Sequence, residues 1–168
     1  MSDLVTGVRL AKPTDAAAIS GVFDAAWREA YRGIIPGVQL ERMVLRRGPK
    51  WWGLSLRRGR PVAVIDVGKR IVGYSSYGRC RDASFAAEGE IDELYLLPEA
   101  QGIGLGRRLF KAVLNDLGDR VGKRVVVWSL AESERSCAFY EAMGGRALRE
   151  TTDRIGNTPL TKIAYLFD

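Results

Sequence analysis

The stretch Glu90–Gly118, EIDELYLLPEAQGIGLGRRLFKAVLNDLG, decides the fold. Ile91 to Leu97 is an apolar run in which Leu94, Tyr95, Leu96 and Leu97 are consecutive, and Pro98 bounds it. A short run of this kind reads as a mostly buried strand, and a proline, lacking an amide donor, stops its ladder. Gln101-Gly102-Ile103-Gly104-Leu105-Gly106 follows, and then Leu105, Leu109, Ala112 and Val113 recur at helical spacing with Phe110, Leu114 and Leu117 beside them. The glycines therefore stand at a helix N-terminus. Amides there have no intrahelical partner, the helix dipole is positive at that end, and glycine lets a ligand approach the bare backbone. The physical expectation is a pyrophosphate cradle. A dinucleotide fingerprint would need a third glycine where Arg107 stands, and a P-loop would need Gly-Lys-Ser/Thr, which does not follow. The pattern that does fit is Q-x-x-G-x-G over Gln101, Gly104 and Gly106.

That pattern, with the strand before it and the helix after it, resembles the acetyl-coenzyme A signature of the GNAT N-acetyltransferase superfamily. Two further stretches carry the likeness. Ala26–Pro36, AWREAYRGIIP, is similar to the first helix and loop of many bacterial members, the region that walls the acceptor pocket. Trp27 and Tyr31 can serve that wall or plain core packing, and both readings stay open. Ala138–Gly144, AFYEAMG, looks like the family's F-Y-E-x-x-G helix. The resemblance runs from about Val8 to the C-terminus. It implies an α+β (mixed α/β) fold, a central mixed and mostly antiparallel sheet of about seven strands flanked by helices, with a splayed parallel strand pair binding the coenzyme. Two departures matter. Ser133 stands where the family often has an asparagine touching the pantetheine arm, and Gly144-Gly145 stands where it often has Gly-Phe, which leaves a gap expected in the core.

The chain of 168 residues is one domain's worth, read here as a single domain over residues 1–168, and its 46% hydrophobic content is enough for a core. No apolar run approaches a membrane span, and no apolar signal core opens the chain. Cys80 and Cys137 are too few for a disulfide framework, so a cytoplasmic protein is expected. The absence of histidine excludes a histidine-based zinc site and every triad that needs histidine, and no metal is expected. A net charge of +6 suits a coenzyme with several phosphates or a solvated basic surface better than nucleic acid.

The rest of the chain reads in order. Thr6–Ala11 is a strand. Pro13-Thr14-Asp15 starts a helix, with Thr14 as its cap and Ala18, Val22, Ala25 and Ala26 on one stripe beside Ile19, Phe23 and Trp27. Tyr31-Arg32-Gly33 ends it. Pro36 begins a short helix carrying Leu40, Met43 and Val44. Arg46–Arg60 interleaves arginines with Trp51 and Trp52; a nucleic-acid surface is one reading, and an amphipathic helix showing arginines to water is preferred. Pro61–Val67 and Arg70–Tyr77 are strands joined at Gly68-Lys69, and Arg79–Ala87 is a polar loop. Lys123–Leu130 is a buried strand that should pair parallel with the central one. Ser133 begins a helix whose Ser136, Phe139, Tyr140 and Met143 share a face, and Gly144-Gly145 closes it. Arg146–Thr151 and Leu160–Phe167 are the last strands.

The chemistry that the resemblance implies is acyl transfer from acetyl-coenzyme A to a primary amine, directly, in a ternary complex. An ammonium must lose a proton before it attacks, which calls for a base near the thioester. Alternation puts Glu90 and Asp92 on one face of the strand and Glu93 on the other, and a β-bulge would shift that count. In the family a strand carboxylate, often through water, is the base, matching Glu90 in some branches and Glu93 in others; Glu93 is weighted slightly above Glu90. A backbone amide near Leu96 would hold the oxyanion. Tyr140 would protonate the thiolate, or else be core filling. The coenzyme would lie on Leu96, Leu97, Gln101, Gly102, Ile103, Gly104, Leu105, Gly106 and Arg107, with Ser133 and Tyr140 beside its arm and Arg108 and Lys111 near the other phosphate. Cys137 as an acylated nucleophile is the alternative to direct transfer. A non-catalytic acyl-coenzyme A sensor and a basic nucleic-acid-binding module are readings from other classes. The acceptor stays open between a small-molecule amine and a peptide or protein amine, and a homodimer stays open too.

Overall fold

The computed structural model describes residues 6–168. Seven strands form one sheet: β1 (Thr6–Leu10), β2 (Val62–Val67), β3 (Arg70–Arg79), β4 (Gly89–Leu96), β5 (Val125–Leu130), β6 (Arg146–Ile155) and β7 (Thr158–Phe167), in the order β1-β2-β3-β4-β5-β7-β6. The helices among the described residues are α1 (Ala16–Tyr31), α2 (Gly37–Arg46), α3 (Pro49–Arg58), α4 (Leu105–Arg120) and α5 (Glu134–Ala142). The architecture is the expected mixed, mostly antiparallel α+β sheet. The parallel ladder pairs Gly89 with Val125, Glu90 with Val126 and Ile91 with Val127; β4 runs on to Leu96 and β5 to Leu130. Among the described residues no helix is long and apolar enough to cross a membrane.

The chain divides into two compact units, Met1–Ser76 with Glu93–Val113, and Tyr77–Asp92 with Leu114–Asp168. In the first, α1 buries Ile19, Val22, Phe23 and Ala26, positions one helical turn apart, while Ala18 faces outward. The stripe is thus rotated by one residue from the expected one, because Ile19 and Phe23 remove more apolar area from water than the alanines. Thr14 does not cap. A 3₁₀ turn over Pro13–Asp15 precedes α1, and the Asp15 carboxylate accepts from the Lys12 amide at 2.7 Å and from both Arg9 amino groups at 2.7 and 3.0 Å. The hairpin is as read: Gly68 and Lys69 both have positive φ, 57° and 70°, as a two-residue type I′ turn requires. On α3, Trp52 is buried and Trp51 is 39% exposed.

In the second unit, β5 pairs antiparallel with β7, and β7 with β6, from Val125↔Phe167 to Leu130↔Lys162 and from Arg146↔Leu166 to Ile155↔Thr158. The hairpin strands β6 and β7 are longer than the Arg146–Thr151 and Leu160–Phe167 read from the sequence. The loop read as polar holds a 3₁₀ turn, Ala83–Phe85, whose Phe85 packs on Val126 and Ala164, with the Trp128 ring edge-on at 5.4 Å and the Arg149 guanidinium 4.1 Å from its centre. The gap expected at Gly145 does not exist. A Cβ there would lie 2.6 Å from Phe167 Cζ and 2.9 Å from the Tyr140 carbonyl, so the Phe167 ring occupies the space.

Candidate active site

In the first unit, β4 ends, a 3₁₀ turn over Pro98–Ala100 intervenes, and the glycine turn leads into α4. Gly102 and Gly104 have φ of +78° and +88°, a region that costs an L side chain about 1–2 kcal/mol. Arg108 N–H donates to Gly104 O at 3.2 Å and opens the helix, so the amides ahead of it have no helical carbonyl to meet. A Cβ on Gly104 would meet no atom within 4 Å; the space above the turn is open. Gln101 ties the turn to β4 by donating from Nε2 to Leu96 O at 3.3 Å. Ile103, Arg107, Arg108 and Lys111 are exposed. Bare amides, an open space and flanking arginines fit a pyrophosphate. The Leu97 amide, in contrast, donates to Val72 O at 2.8 Å and is taken by the sheet.

The acids of β4 behave as alternation predicts. Glu90 and Asp92 share Arg81, which donates to Glu90 Oε1 from Nε and to Asp92 Oδ1 from Nη2, both at 2.7 Å. The Glu90 side chain is 5% exposed and Arg81 63% exposed. Glu93 turns the other way and meets a different cation, Arg47, in a bidentate pair of 3.0 and 2.7 Å with side-chain exposures of 20% for Arg47 and 14% for Glu93. The Arg47 guanidinium lies against three rings, at 4.2 Å from Phe23, 4.3 Å from Trp51 and 4.7 Å from Trp52. Trp52 stacks edge-on to Tyr74 at 4.9 Å, and Tyr74 lies 5.9 Å from Tyr95. Burial, then the charge of Glu93, holds the Tyr74 hydroxyl well above its ordinary pKa. Burial also raises Tyr31, against a hydrogen bond with Tyr95 that lowers it. Arg47 Nε, Trp52 Nε1 and the Tyr74 hydroxyl are buried with no hydrogen-bond partner. Trp27 and Tyr31, 4.7 Å apart, join the same aromatic cluster through Phe23.

In the second unit, Ser133 caps α5: its hydroxyl accepts from Ser136 N at 3.3 Å and donates to Ser136 Oγ at 2.9 Å. Tyr140 is buried between the rings of Phe139, Tyr165 and Phe167 at 5.3, 5.8 and 6.4 Å. Burial raises its pKa, with Cys137 adding to the shift, so the phenol stays protonated at neutral pH. Cys137 Sγ sits 3.7 Å from Ser129 Oγ and donates to Leu130 O at 3.6 Å.

The first unit therefore gathers Glu93, Leu96, Leu97 and the Gln101–Arg107 turn, and the second gathers Glu90, Ser133 and Tyr140. Arg47 and Arg81, the partners of the strand acids, were not singled out by sequence. Arg47 lay in a run read as a solvated basic face; the Trp51-Trp52 doublet beside it was the signal of a cation held by rings.

The model of the acetyltransferase (GNAT) family matches residues 21–145. The chain belongs to that family, and it is an acyltransferase. The uncharacterized N-acetyltransferase YuaI of Bacillus subtilis is 29% identical over 156 residues, 93% of this chain and 89% of that protein. The L-amino acid N-acyltransferase MnaT of Escherichia coli is 27% identical over 138 residues, 82% of this chain and 77% of its own. Among solved structures, the PaiA N-acetyltransferase of Thermoplasma acidophilum in complex with coenzyme A superimposes with a TM-score of 0.77 at 14% identity, covering 95% of this chain and 98% of that one.

Proposed function

We propose that this chain, acting as one domain over residues 1–168, moves an acetyl group from acetyl-coenzyme A to a primary amine by direct transfer in a ternary complex. The observation that carries the reading is the open turn at Gly102 and Gly104, with bare amides at the head of the 16-residue α4 and arginines beside it. The complex of the Thermoplasma structural neighbour with coenzyme A supports it. The turn would take the pyrophosphate through its amides, and Arg107 and Arg108 would neutralise phosphate charge.

Acetyl-coenzyme A supplies the activated acyl carbon. Glu93, or Glu90 in its place, takes the proton of the acceptor ammonium, which frees a lone pair to attack that carbon. A C–N bond forms, the C–S bond breaks, and the nitrogen sheds its second proton to solvent, from which Tyr140 is later re-protonated. A backbone amide near Leu96 steadies the oxyanion. Tyr140, protonated at rest, gives its proton to the departing thiolate. The name of the Escherichia coli relative puts amino acids first among acceptors to try. The test pairs calorimetric binding of coenzyme A with release of free thiol from acetyl-coenzyme A in the presence of primary amines. Binding with thiol release for at least one amine is expected; neither binding nor release would overturn the reading, and binding without release for any amine would favour a sensor.

A further inference from the structure

We propose that Arg47 selects the acceptor: it exchanges its grip on Glu93 for the carboxylate of an amine that is also a carboxylic acid, an amino acid, whose ammonium then faces Glu93. The inference rests on the acetyl-transfer reading and names its substrate class. Arg47 is the residue after α2, at the joint with α3, followed by Gly48 and Pro49. Its guanidinium is flanked by the Phe23, Trp51 and Trp52 rings at 4.2 to 4.7 Å, so its donors lie along its edges. The two amino groups grip Glu93 at 3.0 and 2.7 Å. The third nitrogen, Nε, is buried and has no partner, and neither has the buried hydroxyl of Tyr74, whose ring lies 4.9 Å from that of Trp52.

Stability does not demand this arrangement. A part-buried ion pair is often no better than apolar packing of the same volume, and buried donors without acceptors are costly. A planar carboxylate meeting the guanidinium along its Nε edge satisfies the orphaned donor and draws an amino group away from Glu93. The released Glu93 faces a cation's place, and the ammonium of the same molecule fills it. An Arg–Glu pair is thus the charge image of a zwitterion: carboxylate to Arg47, ammonium to Glu93. Phosphate matches less well, because Glu93 beside the cation repels a dianion. Of the three rings over the guanidinium, Trp51, 39% exposed, is the one that meets solvent, and the ligand would enter past it.

The experiment takes the twenty common L-amino acids and, for each one turned over, its amide and its decarboxylated amine. Free-thiol release gives kcat and KM for the wild type, Arg47→Lys and Arg47→Gln. In parallel, tryptophan emission of the same proteins is titrated with the same compounds. The wild type should favour amino acid over amide and amine by about 10²-fold or more in kcat/KM, as a site does that rejects an analogue lacking its hydrogen-bonding group. Arg47→Lys, which keeps the charge and loses the fork, should raise KM for the amino acid about 10-fold or more with kcat within a few-fold. Arg47→Gln should abolish the preference, bringing amino acid, amide and decarboxylated amine to within a few-fold of one another in kcat/KM. In the titration, amino acid but not amide should change wild-type emission, and neither should change that of Arg47→Gln. No carboxylate preference in the wild type, or equal loss on all three compounds in both variants, would overturn the proposal while acetyl transfer stands. Where no amine is acetylated, the titration alone decides: emission responding equally to amino acid and amide, or to neither, overturns it.

Discussion

Gly104→Val tests the cradle, and Gly33→Val is its control. Both glycines have left-handed backbone, φ +88° and +78°, and a Cβ on either meets no atom within 4 Å. The two substitutions therefore impose the same kind of strain, about 1–2 kcal/mol for an L residue in that region, with no protein clash. A domain of this size should lose a few degrees in Tm for each, about 2–4 °C per kcal/mol. Their effects on ligand should differ. Gly33 follows α1, while Gly104 opens α4. A branched side chain above Gly104 fills the open space and keeps an anion off the turn amides. Losing two charge-assisted hydrogen bonds, at about 1.5–3 kcal/mol each, amounts to about 3–6 kcal/mol. At about 1.4 kcal/mol per decade this is roughly 10²–10⁴-fold in Kd. The assay is calorimetric titration of coenzyme A into wild type, Gly104→Val and Gly33→Val, each checked by thermal unfolding. Wild-type affinity in a folded Gly104→Val would refute the cradle. Equal weakening in both variants would show that strain, not occlusion, was at work, and would refute the occlusion argument as well.

The remaining predictions concern single contacts. Tyr140→Phe keeps the ring among Phe139, Tyr165 and Phe167 and removes the proton; kcat should fall about 10²–10⁴-fold with Tm and coenzyme affinity nearly unchanged, and a rate within a few-fold of wild type would make Tyr140 core filling. Gly145→Ala should destabilise by about 1–3 kcal/mol, because the new Cβ meets Phe167 Cζ at 2.6 Å, and chemical denaturation with an unchanged midpoint would contradict the packing. Hydrogen bonds from Arg9 hold the Asp15 carboxyl below the usual carboxylate range. A depressed folded pKa stabilises above the unfolded value, about 3.9, and that contribution is lost as pH falls through the folded value. Asp15→Asn should therefore be less stable than wild type at neutral pH, and the gap in unfolding free energy should close below about pH 4; a gap independent of pH would refute the assignment.

What the sequence made legible was local. The strand, glycine turn and helix of Ile91–Leu117 were readable because an apolar run, a proline stop and a helical period lie within one window. So were the hairpin at Gly68-Lys69 and the helix start at Ser133, each set by residues two or three positions apart. Contacts between distant residues were not. Arg47 and Glu93 are separated by 46 positions, and no period or spacing links them. Phe85 sat in a polar loop, and its burial depends on Val126 and Ala164. The gap expected at Gly145 was filled by Phe167, a residue on another strand. Asp15, not Thr14, stands at the N-cap position of α1, and its carboxylate is turned back to the Lys12 amide and gripped by Arg9 on β1. In each case an identity readable in the sequence acquired its role from a partner brought in by the sheet.

The two acids weighed as base illustrate the same point at the level of chemistry. Strand alternation sent Glu90 and Glu93 to opposite faces, and each face supplied an arginine, but the arginines differ. Arg81 is 63% exposed and divides its donors between Glu90 and Asp92, so solvent and salt screen what it contributes. Arg47 is 20% exposed and is lined by three rings, so water competes little for it. A carboxylate can accept a proton from an ammonium only when its oxygens are free to turn toward it. Glu90, itself 5% exposed, is held by an arginine that solvent reaches and that Asp92 shares. Glu93 is loosened only by something that replaces it on Arg47, and a carboxylate is the group whose shape and charge do so. On the proposed reading, recognising the acceptor and arming the base are then one event, and an amine without a carboxylate meets a base still held by its arginine.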